Sequence, residues 1–76
     1  DILIKIQSLG IGILIEIKYA DKGELDKACN FALKQITQKG YAEKLTEEGC
    51  HIIFRYGIAC YNKRCRVVVE TERRIS

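Results

Sequence analysis

A chain of 76 residues, 47% hydrophobic and 30% charged, has room for one small domain and is too apolar to stay disordered. Its formal charge of +3 permits contact with nucleic acid without arguing for it, because dedicated binding domains carry a denser basic patch. No apolar stretch approaches the roughly 18 residues of a membrane span and no signal-peptide pattern is visible, so no membrane partner and a cytoplasmic location are expected. With no Met, position 1 included, the chain reads as a piece cut from a longer protein.

Asp1 to Ile6 alternates around Ile2, Ile4 and Ile6 and reads as a strand. Gln7 to Gly12, with two glycines, reads as a loop. The run Gly12-Ile13-Leu14-Ile15-Glu16-Ile17-Lys18-Tyr19 is short, β-branched and closed by Asp21-Lys22-Gly23, the pattern of a buried strand. Leu25, Ala28, Cys29, Ala32, Leu33 and Ile36 recur at helical spacing and predict an amphipathic helix over 24–39, stopped by Gly40. Tyr41 to Glu48 predicts a shorter helix ended by Gly49. Cys50 to Tyr61 is apolar and aromatic and reads as a strand, Asn62-Lys63-Arg64 as a turn, and Cys65 to Glu70 as the returning strand. The polar tail over 71–76 is expected to fray or to begin a helix. The order predicts an α/β (α+β) fold, a mixed sheet of about four strands with one main helix and a short second one, in a single partial domain over 1–76.

Side chains two apart on a strand share a face, so Glu16 and Lys18 emerge together. Charges seldom sit within such a strand unless they are paired or used. Two readings stand: a same-face ion pair at a sheet edge, or a metal-dependent hydrolytic site joined by Asp1 from a neighbouring strand. Cys29, Cys50, Cys60 and Cys65 contain no Cys-x-x-Cys pair. A zinc cluster of Cys50, His51, Cys60 and Cys65 has the wrong spacing for ribbons and fingers. The four read better as small buried hydrophobes in a reducing cytosol, with Cys60 and Cys65 flanking a turn where oxidation could bridge them. Lys63, Arg64 and Arg66 form a basic hairpin tip, either a solvated turn or a grip on a phosphate backbone. His51 reads as structural, and a chain with one His has no credible Ser-His-Asp or Cys-His arrangement. No Gly-rich phosphate loop is present, so any ATP site belongs to other sequence.

The segments Asp1-Ile2-Leu3-Ile4, Gly12-Ile13-Leu14-Ile15-Glu16-Ile17-Lys18, and Ala32-Leu33-Lys34-Gln35-Ile36 through Lys39-Gly40-Tyr41-Ala42, followed by Tyr56-Gly57-Ile58-Ala59 and its hairpin, resemble the PD-(D/E)XK nuclease superfamily. The nearest branch is the one found C-terminal to bacterial AAA-ATPase-like proteins. A bare Glu-x-Lys is common, and it is the ordered set that carries the likeness. The resemblance implies a restriction-endonuclease-like core whose motif proline and N-terminal helix lie ahead of Asp1. It implies that Asp1 and Glu16 hold Mg2+ or Mn2+ with the backbone carbonyl of Ile17, and that Lys18 positions or activates water and steadies charge on the scissile phosphate. Gln35 and Tyr41 stand at the Gln…Tyr signature of RecB-like members and would shape the site; the plain alternatives are a solvated amide and a ring packed on the sheet. Hard carboxylate oxygens suit these ions, which keep several waters and share phosphate oxygens with substrate. The function implied is metal-dependent hydrolysis of phosphodiester bonds in DNA, with RNA second, beside an ATPase domain of the same parent chain. The alternative is a catalytically inactive module of the same fold, serving regulation, partner binding or dimerisation. A sheet face without its covering helix also predicts a homodimer.

Overall fold

The computed structural model describes residues 1–74. Its strands are β1 (Ile2–Ile6), β2 (Ile11–Tyr19), β3 (Ile52–Tyr61) and β4 (Arg64–Arg73), joined in that order into one sheet. The β1–β2 and β3–β4 pairs are antiparallel, and β2–β3 is parallel. A parallel step cannot be closed by a hairpin, and here α1 (Leu25–Lys39) and α2 (Tyr41–Glu47) make the crossover. The four-stranded mixed sheet with one long and one short helix agrees with the expected architecture.

Gly40 separates the two helices by taking a left-handed conformation, φ 71°, while its N–H donates to the Thr37 carbonyl. The β3–β4 turn is tighter than expected: Arg64 already pairs with Tyr61, and Asn62 carries the positive φ of 54°. Cys50 does not join β3. Its N–H donates to the Leu45 carbonyl at 2.9 Å, leaving the side chain buried in the core with Leu14, Leu33, Ile36, Leu45 and Ile53.

The predicted polar tail is overturned over 71–73, where Thr71, Glu72 and Arg73 pair with Phe54, Ile53 and Ile52. The reason is side-chain partnering: Arg55 on β3 receives the Glu72 carboxylate at 2.7 Å, and Arg74 holds its other oxygen at the same distance. The rest of that expectation, at 75 and 76, lies outside the described residues.

The sheet presents two different faces. The inner one carries Leu14, Glu16, Ile53, Gly57 and Ala59 under the helices. Across the outer one run the rows Ile2–Ile15–Tyr56–Val69 and Ile17–Ile58–Val67, which no described element covers. Cys60 and Cys65 also face outward, with their Sγ atoms 3.0 Å apart, so burial holds for Cys29 and Cys50 alone. Among the described residues no helix is long and apolar enough to cross a membrane.

Candidate functional site

Glu16 is the one charged residue buried among the described residues, at 7% exposure. It lies on the inner row of β2, opposite Gly57 of β3. A carboxylate at such depth needs cationic partners. Its Oε1 lies 3.4 Å from Lys39 Nζ, and its Oε2 lies 3.9 Å from Lys18 Nζ. Lys18 follows on the same face and holds its ammonium 5.7 Å from the centre of the Phe31 ring.

Asp1 stands one residue ahead of the Ile2–Ile15 pair and so comes alongside Glu16. Its Oδ2 accepts a 2.6 Å hydrogen bond from the same Lys39 Nζ. The structure thus brings Asp1, Glu16 and Lys18 together, and adds Lys39, which sequence reasoning placed only within a matching segment. What delivers Lys39 is the packing of α1 on β3. A Cβ at Gly57 would sit 2.6 Å from the Cys29 carbonyl oxygen, so only a glycine lets the helix approach this closely. In the sequence Lys39 is a basic residue in the last turn of a helix, where interaction with the helix dipole explains it sufficiently.

Asp1, next to β1, and Glu16, on β2, supply two carboxylates that face one cation. They already converge on one cation, the Lys39 ammonium, which puts the two oxygens within about 6 Å of each other. Among the described residues no group of three or more His, Cys, Asp or Glu is placed to hold a metal. Carboxylate oxygens are the donor class that Mg2+ and Mn2+ take, binding through one or two carboxylates and keeping much of their hydration. Ile17 turns its side chain to the outer face, so only its backbone carbonyl is in question as a donor. The drawn zinc cluster does not assemble: Cys50 lies in the core, while Cys60 and Cys65 pair on the opposite face.

Gln35 and Tyr41 are not joined to the carboxylates. Gln35 is half-buried one helical turn before Lys39, on the same stripe of α1, and Tyr41 packs its ring against the core. Neither makes a side-chain hydrogen bond to Asp1, Glu16 or Lys18 among the described residues. Of the basic tip, Arg66 is ion-paired with Asp26 of α1, so it belongs to the packing of helix on sheet.

Beyond Lys18 opens a groove of about 330 Å³ lined by Lys18, Tyr19, Asp21, Glu24, Lys27 and Phe31. Phe31 and Tyr19 are both exposed there. Elsewhere on the inner face, Arg55, Glu72, Arg74 and Glu43 form a chain of ion pairs. Hydrogen bonds from Arg74 and then Arg55 hold the Glu72 carboxyl below its ordinary value, and the same bond raises Arg74.

No curated protein and no solved structure gives a match. The family model described as PD-(D/E)XK nuclease superfamily matches residues 1–70, a span that holds both carboxylates, both lysines and every strand but the end of β4. The chain belongs to the PD-(D/E)XK nuclease superfamily.

Proposed function

We propose that this domain hydrolyses phosphodiester bonds in nucleic acid, DNA ahead of RNA, with Mg2+ or Mn2+ held by Asp1, Glu16 and the Ile17 carbonyl. The observation that carries the reading is a buried Glu16 sharing one cation with Asp1, with Lys18 beside it. A bound ion would supply an acidified water and neutralise charge on the phosphate. Glu16 and Asp1 do the holding. Lys18, as an ammonium, has three donors and no acceptor, which suits it to orient water and to stabilise negative charge on the phosphate oxygens. Gln35 and Tyr41 act behind this set, as shaping residues along α1 and at the start of α2.

The groove beyond Lys18 supports a polynucleotide path. Exposed Phe31 and Tyr19 offer faces for bases and Lys18 a cation for the backbone, while Lys27 is paired with Glu24 and Asp21 adds a second carboxylate to the wall. The same proposal includes an AAA-type ATPase domain in the parent chain and a bacterial cytoplasmic setting, both supported by the branch that the ordered motifs resemble.

A second copy is proposed as the occupant of the outer sheet face. Four strands spaced by about 4.8 Å, of up to ten residues at about 3.3 Å each, make an apolar face of roughly 500 Å². That is at the upper end of what monomers expose and approaches the ~800 Å² per partner of a standard interface. Sedimentation should show a concentration-dependent dimer that Ile15→Lys abolishes.

One observation favours the inactive-module reading instead: Lys39 stands between the two carboxylates and balances their charge. Cleavage of single- and double-stranded DNA and RNA decides between them, using a longer chain that restores sequence ahead of Asp1. Cutting that requires Mn2+, stops with EDTA and is lost in Lys18→Ala supports the nuclease. No cutting, or cutting that survives Lys18→Ala, moves the assignment to the module.

A further inference from the structure

We propose that Lys39 is a positioning residue of this site: its ammonium holds the Asp1 and Glu16 carboxylates together in the metal-free protein and must leave for the metal to enter. The inference rests on the nuclease reading and concerns a residue that reading does not use. Two carboxylates within about 6 Å, one of them buried, repel each other unless a cation stands between them. Lys39 supplies that cation, at 2.6 Å from Asp1 and 3.4 Å from Glu16.

The two cations cannot share the position. A divalent ion of this class sits about 2.1 Å from its oxygens and brings its own waters, so it needs the space that Nζ fills. The tether allows the exchange. Lys39 is the last residue of α1, its side chain is 40% exposed, and the left-handed Gly40 follows, so the ammonium can swing into solvent without breaking a helical hydrogen bond. Lys18 is placed differently, nearest the other oxygen of Glu16 and over Phe31, where it stays when the ion enters. Metal binding is therefore an exchange of one positive charge for two at a site kept in shape beforehand.

An ordinary ion pair at a helix end would behave otherwise, and metal affinity separates the two. Mn2+ binding by the full chain is measured by calorimetry for wild type, Lys39→Met, Lys39→Arg and Glu16→Gln. Binding to wild type that Glu16→Gln abolishes establishes the ion's site independently of Lys39. Two part-exposed ion pairs are given up on displacement, so Lys39→Met is expected to bind Mn2+ about tenfold more tightly. Lys39→Arg keeps a cation in place and is expected to stay near wild type. Without metal, Lys39→Met should melt lower than wild type, and Mn2+ should raise its melting temperature by more. Should Lys39→Met not fold, acetylation footprinting of wild type gives the same answer: Lys39 becomes more reactive as Mn2+ is added, and Lys18 does not. Unchanged or weaker Mn2+ binding by a folded Lys39→Met, or Lys39 reactivity indifferent to Mn2+, overturns the proposal and leaves the metal site standing. No Mn2+ binding by any of the proteins overturns both.

Discussion

Gly57→Ala probes the contact that brings α1 to the site. The added methyl would lie 2.6 Å from the Cys29 carbonyl oxygen and 2.9 Å from Leu33 Cγ. Ordinary contact at such a pair needs more than half an ångström beyond this, and the carbonyl belongs to helix backbone that cannot rotate aside. Forcing a methyl into packed surroundings costs about 1–3 kcal/mol. Replacing glycine by alanine within a strand returns about 0.5–1 kcal/mol through the unfolded chain. The net expectation is a loss of about 1–2 kcal/mol, a large share of the roughly 4–11 kcal/mol available to a domain of this length. Gly12→Ala is the matched comparison. Its methyl would lie 2.7 Å from Leu45 Cδ1, a side-chain end that can move, and it should cost less. Urea unfolding should show a lower midpoint for Gly57→Ala at unchanged slope. Because a shift of α1 carries Lys39 away from Asp1 and Glu16, Mn2+ affinity should rise, as it should in Lys39→Met. A Gly57→Ala protein within about 0.5 kcal/mol of wild type, or one more stable than Gly12→Ala, would refute the idea that helix approach at Gly57 builds the site.

Three more outcomes are expected. Glu72, held below its ordinary value by Arg74 and Arg55, adds stability that is whole above the unfolded carboxylate value of about 4.3 and is lost as pH falls through its lower folded value; melting curves of wild type and Glu72→Gln should therefore differ at neutral pH and converge in acid, and parallel curves would contradict this. Cys60 and Cys65 should form an intrachain disulfide with a mild oxidant, slowly at neutral pH because the hydrogen bond with Cys65 raises the Cys60 thiol, and faster in alkali; mass analysis of the Cys65→Ser control should show no loss of two hydrogens. Phe31→Ala should weaken binding of single-stranded DNA by about 1–3 kcal/mol, read by fluorescence anisotropy with EDTA present to prevent cleavage, and should leave duplex binding little changed.

The parts of this domain that could be read from the residues are those set by local periodicity. The β-branched run over 12–19 is a strand whatever surrounds it, and period two alone puts Glu16 and Lys18 on one face. The apolar spacing from Leu25 to Ile36 likewise fixes which side of α1 packs inward. The parts that could not be read depend on partners far along the chain. Thr71 to Arg73 look like a solvated tail until Arg55, on another strand, gives Glu72 a reason to stay in register. Cys60 looks like any half-apolar strand residue until the hairpin sets Cys65 across from it on the uncovered face. Lys39 is the clearest case. Its place between Asp1 and Glu16 requires the β1–β2 register, the close approach at Gly57 and the helix stop at Gly40 together. Each of these is a plain structural feature, and none mentions a metal. Their joint product is a cation held between two carboxylates, so the site's charge balance is a property of the fold rather than of the Glu-x-Lys motif. It follows that the motif alone cannot tell a working site from a retired one, and that the exchange of Lys39 for a metal ion is where the two would differ.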